Sequence, residues 1–117
     1  KILSDGNRVD LIRARISPDP VTPGQNVTFE VSGILSDDIT DSGMILIQFS
    51  YEDGSLIGHG NGFPAPQTKA GSIFNTNPTF EAPANLPSKY AIIVFVVGNS
   101  SDPSNKVIGC VATVVGD

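Results

Sequence analysis

Few residues of this sequence combine the type and the spacing that catalysis requires. The single histidine, His59, lies in the glycine-rich run 58–62, where no sequence neighbour would orient its ring for acid–base or nucleophilic chemistry. The single cysteine, Cys110, lies between Gly109 and Val111 in an apolar segment, which favours a buried small side chain over a reactive thiol. We therefore expect a protein that is not an enzyme, and we interpret His59 as a surface loop residue.

Asp37, Asp38 and Asp41 are the acidic residues that most resemble a cation site. A calcium ion needs several oxygen ligands on one flexible loop, but the spacing of these aspartates fits no calcium-loop template. A solvated acidic turn is the stronger interpretation. We expect neither a metal site nor a cofactor, and no pair of carboxylates stands out as the machinery of a glycosidase.

The composition indicates a single turn-rich globular domain spanning 1–117. Hydrophobic residues make up 39% of the 117 residues, and 12 glycines and 9 prolines interrupt the chain at short intervals. No apolar run approaches the roughly 20 residues of a membrane helix. The formal net charge of −5 argues against nucleic acid as a partner, because phosphate contact needs a basic surface.

The elements that position these residues are predicted to be β-strands. Val27, Phe29 and Val31 alternate with polar residues, which is typical of a half-buried strand. Similar stretches recur between glycine- and proline-rich turns, and helix signals are almost absent. The predicted strands are 9–17, 27–32, 44–51, 55–58, 72–75, 79–82, 90–97 and 107–115, with 58–71 as a loop. Seven to eight such strands predict an all-β, immunoglobulin-like β-sandwich of two antiparallel sheets.

The segment 90–98, YAIIVFVVG, departs from this alternation because its odd and even positions are both apolar. A strand of this kind is either buried on both sides or faces a core on one side and a cavity on the other. The sequence alone leaves these two alternatives open.

Two N-glycosylation sequons begin at Asn26 and Asn99. Such tripeptides are common by chance, so they favour a secreted protein only weakly. The sequence also begins at Lys1 without a methionine or an apolar leader, which we interpret as a processed or trimmed start.

Three segments resemble the ML lipid-recognition family, and especially the fungal phosphatidylglycerol/phosphatidylinositol transfer proteins and the Niemann–Pick type C sterol-binding protein. The first is ISPDPVTPGQNVTFEVSGILSDDI at 16–39, the second APANLPSKYAIIVFVV at 82–97 and the third KVIGCVATVV at 106–115. The resemblance covers both ends of the chain well and residues 50–80 poorly. The matching residues are Ser17-Pro18-Asp19-Pro20, Gly24-Gln25-Asn26-Val27-Thr28, Ser32-Gly33, Asp38-Ile39, Leu86, Pro87, Tyr90 and Cys110.

This resemblance implies a protein that holds a lipid between two splayed β-sheets and performs no covalent chemistry. The implied ligand is a phospholipid, a sterol or a fatty acyl group, with transient membrane contact during its uptake. The implied location is outside the cell or in the lumen of a vacuole or lysosome. Family members also carry a disulfide from the final strand to the N-terminal region. The only cysteine of this chain is Cys110, so that disulfide has no counterpart here.

A different function remains open beside lipid transfer. A β-sandwich of this size would also serve as a recognition or adhesion module that binds protein or glycan through its loops. Such a module would have a dry, packed core. The sequence does not indicate the oligomeric state.

The residues expected to line a lipid cavity are the inward apolar positions of the predicted strands. An ordinary packed core would use the same positions, and the sequence does not distinguish the two. Phe63 is an additional candidate, because a phenylalanine in the predicted loop has little core to join and would cover the mouth of the cavity or touch a membrane. The full set is Phe29, Val31, Ile45, Ile47, Phe49, Phe63, Ile73, Phe80, Ile92, Val94 and Val96.

Overall fold

The strands assemble into two β-sheets that pack face to face in a computed structural model, which describes residues 10–17, 21–58, 60–99, 101 and 107–116. Regular structure in these residues is entirely β, which confirms the all-β prediction, and they contain no helix of the length and apolar character needed to cross a bilayer. The strands are β1 (Asp10–Leu11), β2 (Arg13–Ser17), β3 (Asn26–Ile34), β4 (Met44–Ser50), β5 (Asn61–Pro64), β6 (Ile73–Thr76), β7 (Thr79–Glu81), β8 (Lys89–Val97) and β9 (Val107–Gly116).

The strand order confirms the immunoglobulin-like sandwich, with two differences from the prediction. The first sheet has the order β1-β9-β8-β4-β5, and the second has the order β2-β3-β6, with β7 also pairing with β3. The run β9-β8-β4-β5 corresponds to the G-F-C-C′ order of variable-type immunoglobulin domains. The described residues form nine strands instead of seven to eight. In addition, β1 pairs in parallel with β9, so the first sheet is not wholly antiparallel.

The ninth strand arises because the predicted first strand, 9–17, divides between the two sheets. The chain leaves β1 in the first sheet and enters β2 in the second, and Ile12 lies buried at the crossing with 3% exposure. Two glycines make room for it. A Cβ added at Gly109 would lie 2.9 Å from Ile12 Cγ2, and one added at Gly33 would lie 3.1 Å from the same atom. These contacts are non-local, so the alternation within 9–17 gave no sign of the break.

A tight turn leads into β3, the central strand of the second sheet. The N–H of Gln25 donates to the carbonyl oxygen of Thr22 at 3.1 Å, and Gly24 has a φ of 75°. A positive φ after proline is typical of a type II turn, in which Pro23 and Gly24 occupy the two central positions. This turn sets the start of β3, whose Val27, Phe29 and Val31 point inward as predicted.

The predicted loop 58–71 is wrong in part, because it contains β5. This strand pairs with β4, and Phe63 lies opposite Ile45 in the register. The predicted strand at 55–58 is reduced to an isolated bridge between Ser50 and Leu56. β5 is short, contains Gly62 and ends at Pro64, so it lacks a clear alternation. At the edge of a sheet this composition is tolerated, because a proline there removes no ladder hydrogen bond.

The inner faces of both sheets meet in one hydrophobic core. Its contributors from the second sheet are chiefly on β3, and those from the first sheet are on β4 and β8. Because side chains alternate along a strand, every second residue of β8 enters this core and the others face outward.

Candidate functional site

The interior of the sandwich is incompletely covered along one side, where β2 of the second sheet lies opposite β9 of the first. Residues paired across an antiparallel ladder share a face. Ala14 pairs with buried Val31, and Val111 pairs with buried Val94, so both Ala14 and Val111 face inward. Both are nevertheless only half-buried, and Thr113, two residues further along β9, is exposed. This side of the core is therefore accessible from solvent.

A small crevice lies at this position, and we call it the β2–β9 cleft. Its volume is about 30 Å³, which matches the share of one water molecule in the liquid. An acyl chain does not fit into this volume, so binding one requires the cleft to widen. The residues that define the cleft are Ala14, Ile16, Phe29, Val94, Val111 and Thr113, with Ile92 and Ala112 beside them.

No ladder of hydrogen bonds holds the two walls of the cleft together. Within the described residues, β2 pairs with β3 alone, and β9 pairs with β1 and β8. At the crossing, the N–H of Ile12 donates to the carbonyl oxygen of Cys110 at 3.3 Å. Widening the cleft beyond that point would separate apolar side chains without breaking backbone pairing.

The opposite side of the sandwich is closed by aromatic rings. Phe63 on β5 and Phe80 on β7 have ring centroids 5.3 Å apart, which joins the two sheets at that edge. Phe80 also stacks on Phe29 at 5.5 Å and meets Phe49 at 6.2 Å. Phe49 in turn contacts Tyr90 at 6.0 Å. Aromatic pairs at these separations contribute beyond the area they bury. The sandwich is therefore tightly packed at the β5–β7 edge and more loosely covered at the cleft.

A larger polar groove adjoins the cleft on the outer face of the second sheet. Its volume is about 560 Å³, and Ala14 and Val111 line both the groove and the cleft. The register places Arg13 beside Ser32 and Arg15 beside Glu30. Among the described residues, neither guanidinium forms an ion pair within 4 Å. The groove therefore offers two uncompensated positive charges next to an apolar opening, although the chain as a whole is acidic.

Most of the predicted lipid-facing residues do point inward. Phe29, Ile92 and Val94 reach the cleft, and the other buried members lie within the packed core. The fully buried members of the set are Phe29, Val31, Ile45, Ile47, Phe49, Ile92, Val94 and Val96. Sequence reasoning missed Ala14, Ile16 and Val111, because a break between sheets and an uncovered edge leave no local pattern.

Two members of the predicted set are placed differently. Ile73 is 68% exposed, so the prediction that it faces the interior is wrong, and its neighbour Phe74 is buried instead. Both residues are apolar, so alternation could not choose between them; pairing of Phe74 with Gly33 decides it. The interpretation of Phe63 as a loop residue is also wrong, because Phe63 lies in β5 and packs against the core on the side away from the cleft.

The residues considered for chemistry do not form a constellation in the described part of the chain. No three His, Cys, Asp or Glu side chains gather there in a way that would hold a metal ion, and His59 lies outside the described residues. Asp38 instead accepts a hydrogen bond from the N–H of Ala70 at 2.7 Å. Cys110 lies half-buried on β9.

Both sequon asparagines are exposed. Asn26 begins β3, and Asn99 follows β8. The Asn99 Oδ1 accepts hydrogen bonds from the Ser42 hydroxyl at 2.6 Å and from the N–H of Ser101 at 3.0 Å.

Comparison with protein-family models and with curated proteins finds no match to this chain. Among solved structures, the chain is similar to part of a candidate β-galactosidase from Bacteroides fragilis, with a TM-score of 0.45 and 13% identity over 91% of this chain and 15% of that one. It is also similar to part of an alkylpurine DNA glycosylase from Pseudomonas fluorescens bound to DNA containing an abasic site analogue. There the TM-score is 0.45 with 12% identity, over 96% of this chain and 32% of that one. The chain thus spans less than a third of either protein, and likenesses this weak say nothing about its function.

Proposed function

We propose that this domain binds a lipid without catalysing a reaction, by accepting an acyl chain or another slender apolar group into a widened β2–β9 cleft. The observation that supports this most is the incomplete cover of the apolar inner faces of β2 and β9. The resemblance to the ML family in the segments that contain β3, β8 and β9 supports the same function.

The energetics of widening favour this side of the sandwich. Each methylene that leaves water contributes about 0.8 kcal/mol, so a chain of several methylenes offsets the separation of a few half-buried side chains. The walls carry small residues such as Ala14 and share no ladder hydrogen bonds. The aromatic contact between Phe63 and Phe80 would hold the sheets together at the far edge.

The groove beside the cleft would receive the polar end of the ligand. Arg13 and Arg15 lie on its surface, so a carboxylate or phosphate head group would find a complementary charge there. We place such a carrier outside the cell or in the lumen of a vacuole or lysosome, where it would contact membranes transiently during uptake and release.

The test measures lipid directly and then blocks the cleft. Organic extracts of the protein purified from its native source are examined by mass spectrometry, and displacement of a fluorescent long-chain fatty acid reports affinity. Ala14→Phe fills the cleft, and we expect it to lower probe affinity about tenfold or more. Thr113→Trp crowds the same opening from an exposed position, so it keeps the test valid if Ala14→Phe fails to fold.

The matched control is Ala70→Phe, which adds the same ring at an exposed turn between β5 and β6. It should leave probe affinity unchanged. Absence of lipid from the extract together with no probe binding would overturn the proposal. Equal effects of Ala14→Phe and Ala70→Phe would show that the probe binds somewhere other than the cleft.

A second candidate function is supported by the size of the polar groove. At about 560 Å³ it is far larger than the cleft, and side chains such as Glu30, Ser32 and Asn75 supply hydrogen-bonding groups. A recognition module for glycan or protein would use these groups directly. Arg15→Ala would then abolish ligand binding while Ala14→Phe would leave it largely intact, which is the reverse of the pattern expected for a lipid carrier.

A further inference from the structure

The outer face of the first sheet is apolar across four of its strands. One row of neighbouring residues runs from Leu11 on β1 through Cys110 and Phe95 to Leu46 on β4. The adjacent rows contain Ile93 and Val114. We call this surface the outer apolar face, defined by Leu11, Leu46, Ile93, Phe95, Cys110 and Val114. Leu11 is 78% exposed and Val114 is 62% exposed, so nothing among the described residues covers its margins.

The second sheet shows what a solvent-facing outer surface looks like in the same molecule. Its outward residues include Arg15, Glu30 and Ser32, and the hydroxyls of Thr28 and Thr79 are hydrogen-bonded at 2.8 Å. An antiparallel sheet with one face in water usually alternates in this way. β8 does not alternate, because the residues that leave the core are as apolar as those that enter it. The outer apolar face is therefore not an ordinary solvent surface.

We propose that the outer apolar face packs against the same face of a second copy of this chain, forming a two-fold symmetric dimer. Two sheets with the same twist pack face to face about 10 Å apart, so a twisted apolar sheet is complementary in shape to itself. Its three rows contain Gln48 and Ser50 as polar residues and no charged residue. Depletion of charge is typical of the centre of a protein interface.

The size of the face fits a weak dimer. Five strands about 4.8 Å apart cover about 24 Å across the sheet, and six residues at about 3.4 Å each cover about 20 Å along it. Each copy would contribute roughly 450 Å², and the pair would bury roughly 900 Å², which lies near the lower limit of specific interfaces. We therefore expect a dissociation constant in the micromolar range.

A bilayer is a less suitable occupant of this face. The chain has a net charge of −5, which opposes approach to anionic lipid surfaces. At the end of β8, Lys89 is paired with Glu52 through Nζ and Oε1 at 3.3 Å, so its charge is compensated. The dimer also does not depend on lipid binding, because the β2–β9 cleft opens on the other side of β9.

Sedimentation velocity of the full chain over a range of micromolar concentrations tests the dimer. The weight-average mass should rise toward twice the monomer mass. Leu11→Lys and Val114→Lys each place a charge on the face at an exposed position, so folding should be preserved and the dissociation constant should rise about tenfold or more. The matched control is Ile34→Lys, because Ile34 is 60% exposed on the outer face of the second sheet. It should dimerise like the unmodified chain.

The single cysteine gives an independent readout. Cys110 lies in the central row of the face, so its reaction with a maleimide should slow as the chain dimerises. A monomer at every concentration would overturn the proposal, as would a dimer that neither lysine variant weakens. A monomer that co-sediments with phosphatidylcholine vesicles and loses that binding in Leu11→Lys would also overturn it, because a lipid surface would then be the occupant.

Discussion

Replacing Phe80 with alanine should loosen the closed edge of the sandwich. The ring of Phe80 meets those of Phe29, Phe49 and Phe63 at centroid distances of 5.5, 6.2 and 5.3 Å, so one substitution removes three aromatic contacts between the sheets. Truncation of a fully buried phenylalanine costs about 3–5 kcal/mol. Phe80 is half-buried, and we expect its loss to lower the free energy of unfolding by about 2–3 kcal/mol, to which the ring pairs contribute about 0.5–1.5 kcal/mol each.

Urea denaturation followed by circular dichroism measures this effect. With an m-value of about 1–3 kcal/mol/M, a loss of about 2.5 kcal/mol lowers the midpoint by about 0.8–2.5 M. The control is Ile73→Ala on the neighbouring strand β6, because Ile73 is 68% exposed and should change stability by no more than about 0.5 kcal/mol. A midpoint for Phe80→Ala no lower than that of Ile73→Ala would falsify the assignment of the aromatic cluster as the clasp of this edge.

Two further predictions concern the crossing of the chain and a surface turn. Gly109→Ala would place a methyl group 2.9 Å from Ile12 Cγ2, and overpacking of this kind should lower the unfolding free energy by about 1–3 kcal/mol. Gly60→Ala meets only ordinary contacts at 3.5 Å or more, so thermal melts of the two variants should differ clearly. The hydroxyl and the N–H of Ser55 donate to Asp53 Oδ1 at 2.6 and 2.9 Å and lower the pKa of that carboxyl below its ordinary value. Because the folded-state pKa is depressed, any stabilisation from this turn is present above the unfolded pKa and is lost as the pH falls through the folded one; an NMR titration in which Asp53 titrates at its ordinary pKa would contradict this.

The local strand pattern was sufficient to predict the fold class. In β3, β4 and β8, inward positions such as Phe29, Ile47 and Val94 recur at every second residue, and burial of that face determines the register. Glycine and proline marked many of the ends of these strands. The same periodicity identified eight of the eleven predicted cavity residues as fully buried, although it did not separate a packed core from an opening.

The features that concern function depended on contacts distant in sequence. Ile73 and Phe74 are equally apolar, and only pairing with β3 turns Phe74 inward. Phe63 lies between glycine and proline, and only the free edge of β4 makes its segment a strand. The break at Ile12 requires space that Gly33 and Gly109 provide from two other strands. Each of these outcomes is set by a partner far along the chain, which a local pattern does not contain.

β8 illustrates the division between the two levels. Its sequence alone determined that both faces would be apolar, because residues of both parities are hydrophobic from Tyr90 to Val97. Only the tertiary structure decided which face meets the aromatic core and which remains outside, since that choice follows from which side the second sheet covers. The same packing left the inner edge of β9 partly open, because β2 presents the small side chain of Ala14 to that side of the interior.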